Sequence, residues 1–377
     1  MQPGDESASQ HEPAADAARH GSRDSGAVTR RGALIGIAAV AGVAAVDVGA
    51  FAYGGGWLRP GALTPSAFAD RFEQVYGRHE GFRRNHAKGL SATGTFASNG
   101  AGAAVSRAVV FRVGSVPLIG RFSLGGGRPD QPDKPDTVRG LGLAFLLPDG
   151  EQWRTAMINL PVFTDRSPQG FYQRLLASKP LPGTGQPDPA QMAAFLQRHP
   201  ETAAAMKIIK QSPPSAGFAD STFHGLNAFR FTNSSGVTVP VRWMAVPVAS
   251  PAPVATHGDD YLFDALIDAA SRGPLQWRLI LTIGAPGDPT SDATRPWPDS
   301  RPTIDAGTIT IDAVQTEAPG NARDVNFDPL VLPDGITPSD DPLLSARSAV
   351  YARSFTRRAG EPKRPSEVNV GQVRDGR

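Results

Sequence analysis

Cysteine is absent from the 377 residues. That excludes disulfides, thiolate-held metals or prosthetic groups, and a cysteine nucleophile. It also fits export, because a chain without thiols cannot mispair in an oxidising compartment. A dominant charge is lacking too: 38 Lys and Arg face 36 Asp and Glu, a net of +2. No global field recruits nucleic acid or acidic lipid, and the pI near 9.0 is a shallow crossing in a nearly balanced chain. There is no internal repeat. Several ligand motifs are missing as well. Gly125-Gly126-Gly127 is followed by neither Gly-Lys-Ser/Thr nor a strand-to-helix pattern, so it is no phosphate loop. Asp130, Asp133 and Asp136 suggest calcium, but the interleaved Pro132 and Pro135 and the lack of a closing Glu read as a turn-rich loop. His199 and His224 have no partner at metal spacing.

What is present divides the chain unevenly. With 40% hydrophobic residues it can bury a full core, and its length suits two average domains or one large β-barrel domain. Residues 1–28 are polar, without apolar period, and are expected to be disordered. Thr29-Arg30-Arg31 then precedes a small apolar run over 32–46, Asp47, and a further apolar piece over 48–53. Paired arginines before an Ala- and Gly-rich apolar segment read, over 29–53, as a twin-arginine-like signal or a transmembrane anchor. Residues 33–53 reach the roughly 20 that a span needs, against which Asp47 costs about 2.5–3.5 kcal/mol. Positive charge in front places the N-terminus inside and the body outside. Cleavage near Val48-Gly49-Ala50 would release the body; without cleavage it stays on the inner membrane, facing the periplasm. Residues 54–64, opening on Gly54-Gly55-Gly56, read as a linker, 65–360 as the folded domain and 361–377 as a flexible tail.

Within the body, Ser66 is placed as the N-cap of a helix in which Phe68, Phe72 and Val75 recur at helical spacing. The pattern then changes to strands at 108–113, 116–123, 140–147 and 157–163. Helical stretches follow at 169–177, 189–199 and 203–210, the last stopped by Pro213-Pro214. Residues 225–231 and 237–248 flank the turn Asn233-Ser234-Ser235-Gly236 as a hairpin. An amphipathic helix over 259–270, strands at 277–283 and 308–314, and a final polar helix complete the order. Strands, helices, hairpins and a last helix predict a segregated α+β fold around an antiparallel sheet or barrel.

The candidate site centres on Arg83-Arg84-Asn85-His86-Ala87-Lys88-Gly89, which sets one imidazole among cations beside glycine. An imidazole takes and returns a proton near neutral pH, which suits peroxide or ester chemistry. Near the other end stands Arg347-Ser348-Ala349-Val350-Tyr351, followed by Ala352-Arg353-Ser354-Phe355-Thr356-Arg357-Arg358. Arg347 precedes Tyr351 by four residues and shares a helix face with it. A neighbouring cation favours the ionised form of a phenol, whose solution pKa is about 10.

Together with Thr93-Gly94-Thr95-Phe96, Arg121-Phe122-Ser123, Asp136-Thr137-Val138-Arg139-Gly140 and Asn159-Leu160-Pro161-Val162-Phe163, in this order, those stretches resemble the haem catalases. They look most like the short catalase-related peroxidases, over residues 66–360. The resemblance implies a catalase-like antiparallel β-barrel with surrounding helices and a buried haem b. It implies Tyr351 as the proximal iron ligand, supported by Arg347, and His86 as the distal acid and base. Asn159 would hydrogen-bond the peroxide, and Ser123 would orient His86. Arg83, Arg121 and Arg358 would face the haem propionates, to which a guanidinium fork is matched. Phe163 would line the pocket, with Phe96. Thr164, Asn227 and Phe355 depart from the larger catalases, which carry Phe, His and His there. The thinner wrapping implies a more open haem. The expected activity is therefore reduction of hydrogen peroxide or organic hydroperoxides by an organic reductant, with weak catalase activity at most. A haem enzyme that rearranges fatty hydroperoxides, as allene oxide synthases do, and a non-catalytic haem carrier or sensor are the alternatives. No nucleic acid partner is expected, and a homo-oligomer is left open.

Overall fold

Proline sets most of the helix starts. In the computed structural model, which describes residues 63–248 and 254–374, α1 (Pro65–Tyr76), α2 (Pro168–Ala177), α3 (Pro189–Arg198), α4 (Pro200–Gln211) and α6 (Pro342–Ala359) all begin on proline. The ring presets the helical φ, and its missing N–H would have had no partner in a first turn. The side chains of Thr64, Ser167, Asp188 and Asp341 accept first-turn N–H groups as caps. Thr64, not Ser66, caps α1: its Oγ1 accepts from Ala67 N at 3.1 Å. Two more helices, α5 (Tyr261–Arg272) and α7 (Val370–Arg374), lie toward the C-terminus.

The strands are β1 (Gly89–Ser98), β2 (Gly114–Leu124), β3 (Arg139–Leu146), β4 (Gln152–Ile158), β5 (Phe223–His224), β6 (Phe229–Thr232), β7 (Thr238–Pro247), β8 (Leu275–Ile283), β9 (Thr303–Gln315) and β10 (Ile336–Pro338). All their pairings are antiparallel. Following neighbours from β1 through β2, β3, β4, β5, β7, β8 and β9 returns to β1, an eight-stranded closed barrel, with β6 and β10 added beside β7. Closure pairs the edges that an open sheet would expose.

Side-chain alternation decides where a ligand can go. Inward-facing Phe96, Phe122, Phe145, Trp153, Trp243 and Trp277 fill the barrel; Phe145 and Trp153 stack at 4.9 Å, and Trp153 meets Trp243 edge-on at 5.1 Å. The interior is therefore a packed core. On β3, Leu141, Leu143 and Phe145 point in, leaving the small Gly140, Gly142 and Ala144 outside. By the same alternation Arg121 and Ser123 of β2, and Ala156 and Ile158 of β4, face outward. Against this outer face α1, α2 and α6 enclose a cavity of about 780 Å3.

The structure redraws several expected elements. The 108–113 stretch is a single 3-10 turn, Val109–Phe111, and β4 ends at Ile158, before Pro161. Of the expected 225–231 strand only 229–231 is extended, in β6, after Leu226 with φ +66°. Strand β1, rich in Gly, Ser, Thr and Ala, carries little periodic signal. The tail is no free end: Val368 and Val370 are buried in the main core, and Val370 N donates to Thr316 Oγ1 at 2.9 Å. The expected leader, the signal or anchor, and linker residues 54–62 lie outside the described residues. Among those described, no helix is long and apolar enough to cross a membrane.

Candidate active site

Two residues on the outer face of β2 hold the imidazole. Ser123 Oγ lies 3.1 Å from His86 Nδ1, while Arg121 donates to the backbone oxygens of His86 at 2.9 Å and Ala87 at 3.2 Å. Between these ties His86 has φ +56°, a left-handed conformation that costs a non-glycine residue about 1–2 kcal/mol. Gly140 pairs with Ser123 across β2 and β3 and leaves room for the ring. A Cβ at Gly140 would lie 2.8 Å from Ser123 Oγ and 3.2 Å from His86 Nδ1 and Cε1. His86 lines the cavity. Burial, then the guanidiniums of Arg121, Arg347 and Arg83, lower its pKa to about 3, so the imidazole is neutral at physiological pH.

Helix α6 builds another wall. Arg347 Nη2 lies 3.4 Å from Tyr351 Oη and donates to Ala156 O at 2.9 Å. Its Nη1 donates to Asn227 Oδ1, whose Nδ2 donates to Asp341 Oδ2 at 2.8 Å. A phenol, a guanidinium, an amide and a carboxylate thus run from the cavity to the helix's own N-cap. Asn227 and Asp341 are buried, and burial raises the Asp341 pKa against the bond from Asn227 and the pull of Arg347. The left-handed Leu226 places Asn227 in this chain.

At a third end the cations crowd. Arg121 grips Glu317 with Nε and Nη2, both at 2.8 Å, and Arg83 Nη1 reaches the same carboxylate at 3.2 Å. Arg83 also donates to Ala322 O and Val325 O, and Arg358 to Arg323 O and Val325 O. Burial, together with repulsion among the guanidiniums, holds Arg83 well below its ordinary value and Arg358 at about 10. For Glu317, burial alone would raise the carboxyl, but Arg121, Arg83 and Arg323 outweigh it and bring the pKa to about 2.

The expected residues therefore separate. His86, Ser123, Arg83, Arg121, Phe163, Arg347, Tyr351 and Arg358 line one cavity. Asn159 is not in its wall: its Oδ1 accepts from Arg139 N at 2.8 Å, and Ile158, of the opposite strand parity, faces the cavity instead. Phe96 belongs to the barrel interior, 5.4 Å from Phe145. The four hydrogen bonds of Arg121 go to Glu317 and to the carbonyls before β1. Glu317 and Gly140 carry no role by sequence alone, although Glu317 lies two residues beyond the alternating strand β9.

These donors fit haem. Tyr351 offers a phenol oxygen beside a guanidinium, the Arg83 and Arg358 end holds more positive than negative charge, as carboxylate side arms require, and Gly140 and Gly142 leave a flat strand surface. The cavity lies within the range of about 300–1,000 Å3 for small-molecule sites. Fold and site together define a haem-binding barrel protein.

Comparison with known proteins gives the family. The Catalase family model matches residues 79–376. The "Catalase-related peroxidase" of Synechococcus elongatus is 38% identical over 301 residues, 78% of this chain and 89% of that protein. The protein of the same description from Mycolicibacterium paratuberculosis is 33% identical over 306 residues, 80% of this chain and 96% of that one. A bacterial catalase structure aligns with a TM-score of 0.66 at 23% identity, over 78% of this chain and 60% of its own. The chain belongs to the catalase family.

Proposed function

We propose that the protein is a haem-dependent peroxidase that reduces hydrogen peroxide or organic hydroperoxides with electrons from an organic donor and has weak catalase activity at most. One observation carries this reading: a neutral imidazole fixed at Nδ1 and a phenol fixed by a guanidinium line the same cavity. The relatives' descriptions favour peroxidase over a rearranging enzyme or a carrier.

Haem, when bound, supplies the redox chemistry. Tyr351 would hold its iron through the phenol oxygen, which lies 3.4 Å from Arg347 Nη2. Arg83 and Arg358 would meet its propionates. Ser123 Oγ accepts a hydrogen bond from His86 Nδ1–H in the tautomer that leaves Nε2 free as base. His86 takes the proton from the oxygen of the peroxide that is bound first and returns it to the departing oxygen, which leaves as water or alcohol. The donor supplies two electrons, and two protons complete the balance. The absence of cysteine excludes thioether attachment and so supports haem b. Arg30-Arg31 before the apolar run supports export or anchoring at the inner membrane, outside face.

The test compares the haem-loaded protein with Tyr351→Phe and His86→Ala, reading the ferric spectrum, donor oxidation and oxygen evolution. Tyr351→Phe should alter or lose the spectrum, and His86→Ala should keep it while losing roughly 100-fold or more in peroxide rate. Dominant oxygen evolution by the wild type would overturn the peroxidase reading, and failure to take up stoichiometric haem would overturn the haem reading.

A further inference from the structure

We propose that Glu317 is a positioning residue for the peroxide reaction: acting through Arg121, it holds the His86 backbone in the left-handed turn that sends the imidazole into the cavity. The kinetic consequence rests on the haem-peroxidase reading; the geometric one does not.

The route is short and charged. Glu317 leaves β9 two residues after Gln315, which pairs with Ser91 of β1, and Ser91 pairs in turn with Arg121 of β2. Its two oxygens take Nε and Nη2 of Arg121 at 2.8 Å each, a two-point grip that fixes the plane of the guanidinium as one bond would not. The other face of that fork reaches His86 O and Ala87 O. The His86 N–Cα bond lies between two anchors, Asn85, whose Oδ1 accepts from Gly126 N, and the His86 carbonyl on Arg121, and this bond takes the +56° turn. Gly89 makes the arrangement sterically feasible, since a Cβ there would lie 2.4 Å from Arg121 Nη2 and 2.5 Å from Cζ. The neighbouring ties, Gly126 N to Asn85 Oδ1 and Ala87 N to Gly126 O, are uncharged. Two positions along β2, Ser123 holds the ring. Imidazole and backbone are thus fixed separately from one strand, and only the backbone tie depends on a buried acid.

Glu317→Gln keeps the shape but turns an NH2 group toward an Arg121 donor, so the grip fails. The experiment uses the haem-loaded protein as wild type, Glu317→Gln, His86→Ala and the double variant. It reads kcat/KM for peroxide and, by stopped-flow absorbance, the association rate of cyanide, whose neutral acid must lose its proton to a base on entry. Both rates should fall about tenfold or more in Glu317→Gln, as misplacement of a reacting group does, with haem content unchanged. In the His86→Ala background Glu317→Gln should add no further loss. Wild-type rates in Glu317→Gln, or a loss that persists without His86, would overturn the proposal. Should Glu317→Gln fold poorly, Glu317→Asp draws the carboxylate back from the two-point grip at constant charge and carries the same expectations. A crystal structure of either variant, whatever its haem content, should show His86 at negative φ; retention of the +56° turn refutes the clamp.

Discussion

Gly140→Ala adds one methyl group at the point where the imidazole rests on the barrel. The new Cβ would stand 2.8 Å from Ser123 Oγ, where ordinary contact starts at 3.4 Å, so about 0.6 Å must be found there and about 0.2 Å at the ring. The serine can rotate away, which breaks its bond to Nδ1, or serine and ring can move together, which draws Nε2 back from the cavity. Both outcomes loosen the base. Aligned general acid and base catalysis contributes roughly 10²–10⁴-fold, and a misplacement of an ångström about 10²-fold. The expected loss in kcat/KM for peroxide is therefore about 10–100-fold, or about 1.4–2.7 kcal/mol in the barrier. The assay is steady-state donor oxidation normalised to haem content. Gly140→Ala and Ser123→Ala should be far from additive, because both act on the same Ser123–His86 contact. A variant with wild-type kcat/KM and an unchanged ferric spectrum would refute the claim that the ring position limits the reaction.

Asp341→Ala removes both the α6 cap and the partner of the buried Asn227 amide, and should lower stability by about 2–4 kcal/mol in denaturant titration. Asn159→Ala should cost about 1 kcal/mol through the lost bond to Arg139 N and leave the peroxide rate within about twofold; a large kinetic loss would restore the distal role expected from sequence. Peroxide reaction rates should be flat from neutrality downward and fall only as pH approaches the His86 value of about 3, read by rapid pH-jump. The fold should weaken earlier, from about pH 6.5 downward. The unfolded imidazole protonates from 6.5 while the buried one resists to about 3, and the Glu317 contribution, full above 4.5, is lost as pH falls toward 2. Glu317→Gln should flatten the lower part of that acid limb in equilibrium unfolding.

The motifs that sequence could reveal were short and contiguous. His86 beside cations, Ser123 two residues after Arg121, and Arg347 one helical turn before Tyr351 all occupy the cavity wall together. Parity was the harder problem. The motif assigns the distal amide to Asn159, yet β4 alternates through Trp153 and Met157 inward, which gives Ile158 to the cavity and leaves Asn159 to the backbone. Arg121 was read as a propionate cation because nothing local reveals that a carboxylate 196 positions away occupies it. Phe96 shows the same limit from the other side: an aromatic in a motif, turned inward by its strand. The tail's polarity concealed two valines that reach the core.

Helix α6 has its own arithmetic. Arg347, Tyr351, Ser354, Phe355 and Arg358 fall on one stripe by their spacing of four, three, one and three, and all five line the cavity. An ordinary surface helix turns such a stripe to a permanent core; here the covering surface would come from the ligand. Haem binding would then oppose the local opening of this helix, and free haem at 100 times its dissociation constant would add about 2.7 kcal/mol to the loaded form. Amide hydrogen exchange along 347–358 should consequently track occupancy, giving a readout of cofactor delivery that needs neither colour nor turnover.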